Sequence, residues 1–244
     1  MSVAPWFMVS EPWSSTEVTL PVDESHHALK VMRVKPPDVI TITDGRGTVA
    51  RAAASRIDQG RLVVEILESV QRRPLKPEVV VYQGAPKGSK ADDVIERLAE
   101  VGIAETTIFS STRAVVRWDE ERIARLEDRW RSLARAASKQ SRNPFVMNIG
   151  GALSWDELLS RVEGEPLAIV LWEEASLPLR TALGGSADRV ALVIGPEGGF
   201  DRAEAEALAD AGAQLVSLGP RILRTENAAL VAAAALQYHF GLIG

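Results

Sequence analysis

The chain has 244 residues, 46% of them hydrophobic and 25% charged, enough to bury a sizeable core in one or two domains. It contains no cysteine, which excludes disulfide frameworks and thiolate metal sites and is compatible with a reducing cytoplasm. The three histidines lack a zinc-binding spacing, and no apolar run approaches the ~20 residues of a membrane span. A net charge of −5 argues against nonspecific coating of nucleic acid. We expect a cytoplasmic protein without a metal or a membrane segment.

The first part of the chain shows short β-branched segments separated by turn residues. Segments 39–43, 48–50 and 62–67 are predicted strands, and Asp44-Gly-Arg-Gly47 between the first two predicts a hairpin turn. Residues 72–77 are basic and carry two prolines, which neither a helix nor a central strand tolerates, so they are the predicted linker. Residues 1–73 are therefore expected to form a small all-β domain, a barrel.

Beyond the linker, apolar segments alternate with helical patterns. The predicted strands are segments 79–82, 107–109, 168–172, 191–194 and 214–217. A helix is predicted over 91–101, ended by Gly102. Because the strands are apolar on both faces, we expect a parallel sheet covered by helices, an α/β domain over residues 74–244.

A longer helix is predicted over about residues 119–142. Its apolar residues recur at steps of three and four and form one stripe: Ile123, Leu126, Trp130, Leu133 and Ala137. The opposite arc is basic: Arg125, Arg129, Arg135, Lys139 and Arg142. Two interpretations stay open for this arc, a solvated helix face or a surface that contacts phosphate.

Two glycine-marked segments follow predicted strands, where open α/β sheets bind ligands. Gly195-Pro-Glu-Gly-Gly199 lacks the lysine of a phosphate-binding P-loop, and Asp201 with Glu204 predicts a capping box for the next helix. Gly219-Pro220 leads to a second helix, for which Thr225 is the predicted cap. Each segment is either a ligand-facing loop or a structural turn, and the charged residues beside the second are either functional or an ordinary ion pair: Arg221, Arg224 and Glu226.

Together these segments resemble a known family. Ile194-Gly-Pro-Glu-Gly-Gly-Phe200 and Ser217-Leu-Gly-Pro-Arg-Ile-Leu-Arg-Thr-Glu226 are similar to the paired signature of the bacterial 16S ribosomal RNA uracil-N3 methyltransferases, of the SPOUT superfamily. Five upstream stretches match in order: His26-His-Ala-Leu-Lys-Val-Met-Arg33, Asp44-Gly45, Lys87-Gly-Ser-Lys90, Ile95-Glu-Arg-Leu-Ala-Glu-Val-Gly102 and Ala137-Ser-Lys-Gln-Ser141. The chain departs from the family pattern at Met32, Pro37, Asn143 and Asn227.

The resemblance implies a fold, an activity and partners. The N-terminal barrel would be PUA-like and bind RNA, and the C-terminal SPOUT domain would contain a deep trefoil knot, with the knot and cofactor site at about residues 168–230. The activity would be methylation of N3 of a uridine in 16S rRNA of the small ribosomal subunit, with S-adenosylmethionine as the methyl donor. The enzyme would be an obligate homodimer in the cytoplasm, with the site completed across the interface.

The resemblance also implies roles for individual residues. Arg224 would stabilise the negative charge that spreads over uracil when N3 loses its proton, and Glu226 or water would accept that proton. The expected cofactor residues are Leu171, Trp172, Glu173, Ile194, Gly195, Pro196, Glu197, Gly198, Gly199, Leu218, Gly219, Ile222 and Leu223. The expected RNA contacts are Arg33, Lys87, Lys90 and Arg142, each more suited to phosphate than to a base edge.

Two other classes of function are compatible with parts of this sequence. A noncatalytic RNA-binding or ribosome-assembly protein on the same fold would carry the same motifs. A nucleotide-binding enzyme would use the glycine loop for phosphate, but no P-loop lysine follows the glycines.

Overall fold

A computed structural model describes residues 4–9, 13, 16–88, 90–111, 120–184 and 187–244. The chain forms two compact units. The N-terminal unit contains residues up to 74 together with 138–146, and the C-terminal unit contains residues 75–137 and 147–244. Segment 138–146, far along the chain, therefore packs with the N-terminal unit.

The N-terminal unit is built on a five-stranded sheet. Its strands are β1 (Trp6–Met8), β2 (Glu17–Thr19), β3 (Val39–Thr43), β4 (Thr48–Asp58) and β5 (Arg61–Gln71). Their order is β1-β3-β4-β5-β2, with β1 parallel to β3 and the other pairs antiparallel. The three predicted strands are confirmed, although β4 and β5 extend well beyond their predicted bounds. Within the described residues, no pairing joins the edge strands β1 and β2.

The predicted hairpin turn between β3 and β4 is confirmed. Gly45 and Gly47 take φ angles of 73° and 103°, which side-chain-bearing residues rarely adopt. The Asp44 carboxylate accepts hydrogen bonds from the main-chain N–H groups of Arg46 and Thr48, at 2.7 and 3.0 Å. A short helix, α1 (Val22–His26), and a π-helical segment, His27–Val31, lie between β2 and β3. Sequence reasoning did not predict these two elements.

The C-terminal unit contains a six-stranded sheet in which every pairing is parallel. Its strands are β6 (Glu78–Gly84), β7 (Glu105–Phe109), β8 (Asn148–Leu153), β9 (Ala168–Leu171), β10 (Arg189–Ile194) and β11 (Gln214–Val216), in the order β11-β9-β10-β6-β7-β8. Five strands are as predicted. The edge strand β8 was missed because two glycines interrupt its apolar pattern; at Gly150 a Cβ would lie 2.0 Å from the Thr107 hydroxyl.

Helices cover this sheet. They are α2 (Lys90–Glu100), α3 (Glu120–Gln140), α4 (Trp155–Glu163), α5 (Leu179–Ala182), α6 (Arg202–Asp210) and α7 (Thr225–His239). α7 packs against β6, β10 and α2 through small and aliphatic side chains. No described helix is long and apolar enough to span a membrane, and no cluster of potential metal ligands occurs in the described part of the chain.

The long helix α3 confirms its predicted apolar stripe, since Trp130 and Ala137 are buried. The basic arc is largely paired with carboxylates. Arg125 lies 2.6 Å from Glu121, Arg129 lies 2.6 Å from Asp92, and Lys139 lies 2.9 Å from Glu24. These ion pairs favour the interpretation of a solvated, charge-compensated helix face for most of the arc.

Candidate functional site

Three loops meet at the carboxyl ends of β9, β10 and β11. β9 pairs with both other strands in parallel, so Leu171 lies beside Ile194 on one side and Val216 on the other. The loops enclose a cavity of about 950 Å³, within the size range of small-molecule sites. All thirteen predicted cofactor residues line it: Leu171, Trp172, Glu173, Ile194, Gly195, Pro196, Glu197, Gly198, Gly199, Leu218, Gly219, Ile222 and Leu223. The geometry joins them, and cofactor binding itself stays a prediction.

The loop after β10 needs its glycines. Gly199 has a φ of 66°, and a Cβ there would lie 2.8 Å from a carboxylate oxygen of Glu173. At Gly198 a Cβ would have no protein atom within 4 Å, so this main chain is open. The predicted capping box is confirmed: Asp201 Oδ1 accepts from the N–H of Glu204 at 2.8 Å, and Glu204 Oε2 accepts from the N–H of Asp201 at 3.1 Å. The loop is thus anchored directly to α6.

The loop after β11 carries two exposed arginines. Gly219 has a φ of 108°, and its N–H donates to the Ser217 hydroxyl at 3.1 Å, which turns the chain tightly. Ile222 is 91% exposed although it belongs to the cavity lining. Arg221 and Arg224 also line the cavity, and both are exposed. This loop therefore supplies positive charge to the cavity.

The predicted helix cap at Thr225 is wrong. Arg224 is the N-cap residue of α7, in extended conformation and without a capping side-chain bond, and Thr225 is the first helical residue. The Thr225 hydroxyl donates instead to the Gly195 carbonyl at 2.6 Å and accepts from Gln83 Nε2 at 2.7 Å. The hydroxyl satisfies a distant buried carbonyl rather than the N–H groups of its own helix.

Glu226 lies near Arg224 in sequence but differs from it in environment. It is 9% exposed, and its Oε2 atom has no hydrogen-bond partner among the described residues. Among those residues, Arg224 and Thr225 line the cavity, whereas Glu226 does not. The two residues predicted to be catalytic are therefore not brought together in the cavity.

Glu197 connects the cavity to the loop after β6. Its carboxylate accepts from the main-chain N–H of Lys87 at 2.8 Å and from Lys90 Nζ at 3.3 Å. Partial burial would raise the pKa of Glu197, but these hydrogen bonds and the Lys90 charge outweigh burial and lower that pKa below its usual range. Lys90, predicted to contact RNA, thus lines the cavity in an ion pair.

The other predicted RNA contacts are exposed. Lys87, in the loop between β6 and α2, exposes its side chain to solvent. Arg33 and Arg142, in the N-terminal unit, are exposed and take φ angles of 56° and 58°. The only other described non-glycine residue with a positive φ is Gln59 in the β4–β5 turn. Left-handed backbone is costly for arginine, and such strain concentrates at functional sites.

Sequence reasoning missed Gln83, a fully buried amide at the end of β6. Its Nε2 donates to Thr225 Oγ1 and lies 3.0 and 3.4 Å from the carbonyl oxygens of Gly84 and Gly195. One signal was present, a polar residue closing the apolar run Val79-Val-Val-Tyr82 just before a glycine. Because buried polar side chains require hydrogen-bond partners, a glutamine at the end of a buried strand predicts a buried polar contact there.

The parallel α/β unit that carries this cavity falls within residues 73–237, which match the family described as RNA methyltransferase domain. The RNA methyltransferase PUA domain matches residues 20–67. The chain belongs to the ribosomal RNA small subunit methyltransferase E family, which confirms the resemblance carried by the motifs.

Individual relatives align along most of the chain. The ribosomal RNA small subunit methyltransferase E of Mycobacterium bovis is 36% identical over 218 residues, covering 88% of this chain and 83% of the relative. The Bacillus subtilis protein of the same name is 30% identical, covering 91% and 90%. The crystal structure of the Neisseria gonorrhoeae protein of that name, bound to S-adenosyl methionine, superposes with a TM-score of 0.85 at 27% identity, covering 97% and 98%.

Proposed function

We propose that the protein transfers a methyl group from S-adenosylmethionine to N3 of a uridine in 16S rRNA of the small ribosomal subunit. The single observation that carries the proposal is the convergence of three strand-end loops on one cavity that also holds Arg224. Membership of the family supports the reaction and the substrate class, since the named relatives methylate small-subunit rRNA and one structure holds S-adenosyl methionine. The proposed place of action is the cytoplasm, where ribosomal RNA is available.

The cavity has the chemistry that this cofactor requires. Open main chain at Gly198 and Gly219 leaves room for close approach of a ligand, because a Cβ at either glycine would meet no protein atom within 4 Å. Apolar side chains of Leu171, Ile194 and Leu223 offer faces for adenine. When bound, S-adenosylmethionine supplies an electrophilic methyl group on a positively charged sulfur. Glu173 and Glu197 also line the cavity and would supply negative charge to a site that holds a positively charged ligand.

Arg224 is the proposed catalytic residue. Uracil N3 is a weak acid, and its deprotonation spreads negative charge onto the flanking carbonyl oxygens. A guanidinium at the cavity wall stabilises this charge where it develops, and it stays protonated throughout. The N3 lone pair then forms the new bond to the methyl carbon as the sulfur–methyl bond breaks, and alignment of the two groups supplies much of the rate. The sulfur leaves neutral, in S-adenosylhomocysteine.

The proton from N3 requires an acceptor, for which Glu226 and water are the candidates. Glu226 is buried and does not belong to the described lining of the cavity. This placement favours water as the immediate acceptor. Glu226, in the first turn of α7, stays the second candidate.

RNA binding is the proposed role of the N-terminal domain, residues 1–73, and the C-terminal domain, residues 74–244, carries the cofactor site. We propose that the N-terminal domain is a PUA-like barrel, closed by side-chain packing between edge strands that share no main-chain pairing within the described residues. Arg33 and Arg142 are the proposed phosphate contacts of the N-terminal unit, supported by exposed side chains on costly left-handed backbone. Lys87 is a proposed contact of the C-terminal unit. Lys90 has better support as a cavity residue than as an RNA contact.

A trefoil knot over about residues 168–230 is part of the same proposal. β11 lies at the edge of the sheet beside β9, whereas α7, the next element, packs against β10 and β6. Segment 217–224 must therefore run back across the carboxyl ends of β9 and β10. Knots are almost absent from protein folds. The return of segment 217–224 across earlier strands is the feature of this chain that supports one.

The proposal also includes a homodimer. Val231 and Tyr238 lie seven residues apart on α7 and are 46% and 74% exposed, on a helix whose other side is buried against the sheet. Residues seven apart share a helix face, so the two side chains form one apolar strip. An apolar strip on a helix beside the cavity loops is suited to a second copy of the chain.

Two measurements test the proposal. In a thermal shift assay, S-adenosylmethionine and S-adenosylhomocysteine are expected to raise the melting temperature. ATP and NAD are not expected to raise it, because the cavity loop lacks the lysine with which a P-loop binds phosphate. Unmodified small subunits incubated with protein and cofactor are then digested and analysed by mass spectrometry for N3-methyluridine. Cofactor binding without any methylated product would favour a noncatalytic RNA-binding protein.

A further inference from the structure

The end of β6, the glycine loop and the start of α7 meet at one buried point. Thr225 Oγ1 lies 2.6 Å from the Gly195 carbonyl oxygen, and Gln83 Nε2 lies 2.7 Å from Thr225 Oγ1. Gln83 is fully buried and Thr225 is 6% exposed. The three residues come from segments more than a hundred residues apart in sequence at the widest, so the bonds fix tertiary geometry rather than local structure.

The hydrogen bonds form a chain in which Gln83 donates to Thr225 and Thr225 donates to Gly195. Gln83 Nε2 faces three oxygens, the hydroxyl of Thr225 and the carbonyls of Gly84 and Gly195, which is consistent with a donating NH₂ group there. The Thr225 hydroxyl accepts from Gln83 and donates its only proton to Gly195. An amide in the opposite orientation would place its oxygen against two carbonyl oxygens. Removal of the Thr225 side chain would take away the shorter of the two hydrogen bonds to the Gly195 carbonyl, and removal of the Gln83 amide would leave the Thr225 hydroxyl without its donor.

The position of these bonds relates them to the reaction. Gly195 is the first residue of the loop after β10, and Thr225 follows Arg224 directly in the chain. Both Gly195 and Arg224 line the cavity. The same two hydrogen bonds thus set the distance between the main chain of one cavity loop and the residue proposed to stabilise the uracil anion.

We infer that Gln83 is a positioning residue, which acts through the Thr225 hydroxyl and the Gly195 carbonyl to hold the glycine loop and Arg224 in register for methyl transfer. This inference rests on the proposed function, since it assumes that the cavity holds S-adenosylmethionine. Gln83 itself does not touch the cavity within the described residues. Small displacements of aligned groups are costly in such reactions, which makes a buried tether of this kind effective.

The test compares matched variants of the full chain. Thr225→Val removes the hydroxyl at nearly constant volume, Thr225→Ser restores it, and Gln83→Met removes the amide from the other end. Thr19→Val, at an exposed position of the edge strand β2, is the control for loss of a hydroxyl. For each variant we would measure the melting temperature, the dissociation constant for S-adenosylmethionine by calorimetry, and kcat and KM with small subunits.

Thr225→Val and Gln83→Met are each expected to weaken cofactor binding about tenfold and to lower kcat, the scale of an unpaired buried hydrogen-bonding group. Thr225→Ser should recover most of the loss, and the double variant should lose little more than either single one because Gln83 acts through the Thr225 hydroxyl. Either variant with a lowered melting temperature but unchanged binding and kcat would show a merely structural role and overturn the inference. Additive losses would overturn the shared tether. Failure of the wild-type protein to bind the cofactor or form product would instead refute the proposed function, and the inference with it.

Discussion

The carboxylate of Glu197 accepts hydrogen bonds from the Lys87 N–H and from Lys90 Nζ, so it joins the loop after β6 to the loop after β10. The loop after β10 is therefore held at two points. One is the Glu197 carboxylate, and the other is the Gly195 carbonyl, which is bonded to Thr225 and Gln83. The two differ in their response to pH. The Glu197 attachment depends on ionisation of a carboxyl group, whereas the attachment through Gln83 and Thr225 consists of neutral groups.

Glu197→Gln is expected to lower the free energy of unfolding by about 0.5 kcal/mol at neutral pH, the scale of a partly exposed ion pair. Because folding lowers the pKa of Glu197, its contribution is present above the unfolded pKa of about 4.3 and is lost as pH falls through the folded pKa. Urea unfolding of wild type and variant should therefore show a difference that shrinks from about pH 7 to about pH 3. Glu96→Gln, at an exposed site on α2, is the control. A difference independent of pH would contradict the assignment.

Arg224→Ala is expected to lower kcat by roughly 10²–10³, as for loss of one donor that acts in the transition state, with little change in cofactor affinity. This expectation follows from the proposed role of Arg224, which assigns its guanidinium to the charge on uracil and not to the cofactor. Methylation of small subunits at saturating cofactor measures the effect. Arg180→Ala, an exposed arginine on α5, should behave as wild type. An Arg224→Ala enzyme with unchanged kcat would move the role to another residue.

Local patterns in the sequence predicted much of this architecture and part of the site. The Asp201 and Glu204 capping box was readable because its partners lie three residues apart. The Thr225 hydroxyl was assigned wrongly because its acceptor, the Gly195 carbonyl, lies thirty residues earlier in the chain, at the end of β10. Because threonine is a preferred N-cap residue, the sequence alone predicts that its hydroxyl caps the adjacent helix. Contacts between distant segments depend on strand order, which no spacing in the chain reveals.

Tyr82 provides a prediction for the C-terminal core. Its hydroxyl donates to Glu165 Oε1 at 2.7 Å, and Arg189 Nε lies 3.0 Å from the other oxygen of Glu165. Tyr82→Phe is expected to cost about 2 kcal/mol of unfolding free energy, since the lost bond is to a charged group. Burial of the ring, followed by the Glu165 carboxylate, raises the pKa of Tyr82 above its usual range.

The sign of the pH effect follows from that raised pKa. The contribution of Tyr82 is fully present below the unfolded pKa of about 10 and is lost as pH rises from there toward the folded value. Chemical unfolding above about pH 10 should therefore bring wild type and Tyr82→Phe closer together. Tyr238→Phe, which removes an exposed hydroxyl, is the matched comparison. A gap that widens in alkali would refute the argument.

Arg142→Gly separates stability from RNA binding. Glycine adopts a φ near 58° without strain, so the melting temperature should rise or stay level, even with the entropy that glycine adds to the unfolded chain. Loss of a phosphate contact should weaken RNA binding and reduce its salt dependence by roughly 0.7–0.9 in log–log slope. Filter binding at several salt concentrations measures both effects. Gln59→Gly, at the described positive-φ site in the β4–β5 turn, should leave RNA affinity unchanged. Equal affinity for wild type and Arg142→Gly would exclude this arginine from the RNA surface.

Tyr238→Glu tests the second copy of the chain. If the strip formed by Val231 and Tyr238 is a dimer interface, a buried carboxylate there has no partner and is strongly unfavourable. Sedimentation equilibrium should then show a dimer for wild type and a monomer for Tyr238→Glu, while Tyr238→Phe remains dimeric because the ring is kept. If the strip is only exposed surface, the charge is solvated and all three proteins sediment alike. A wild-type monomer that still binds S-adenosylmethionine would remove the dimer from the proposal and leave the cavity residues of a single chain as the cofactor site.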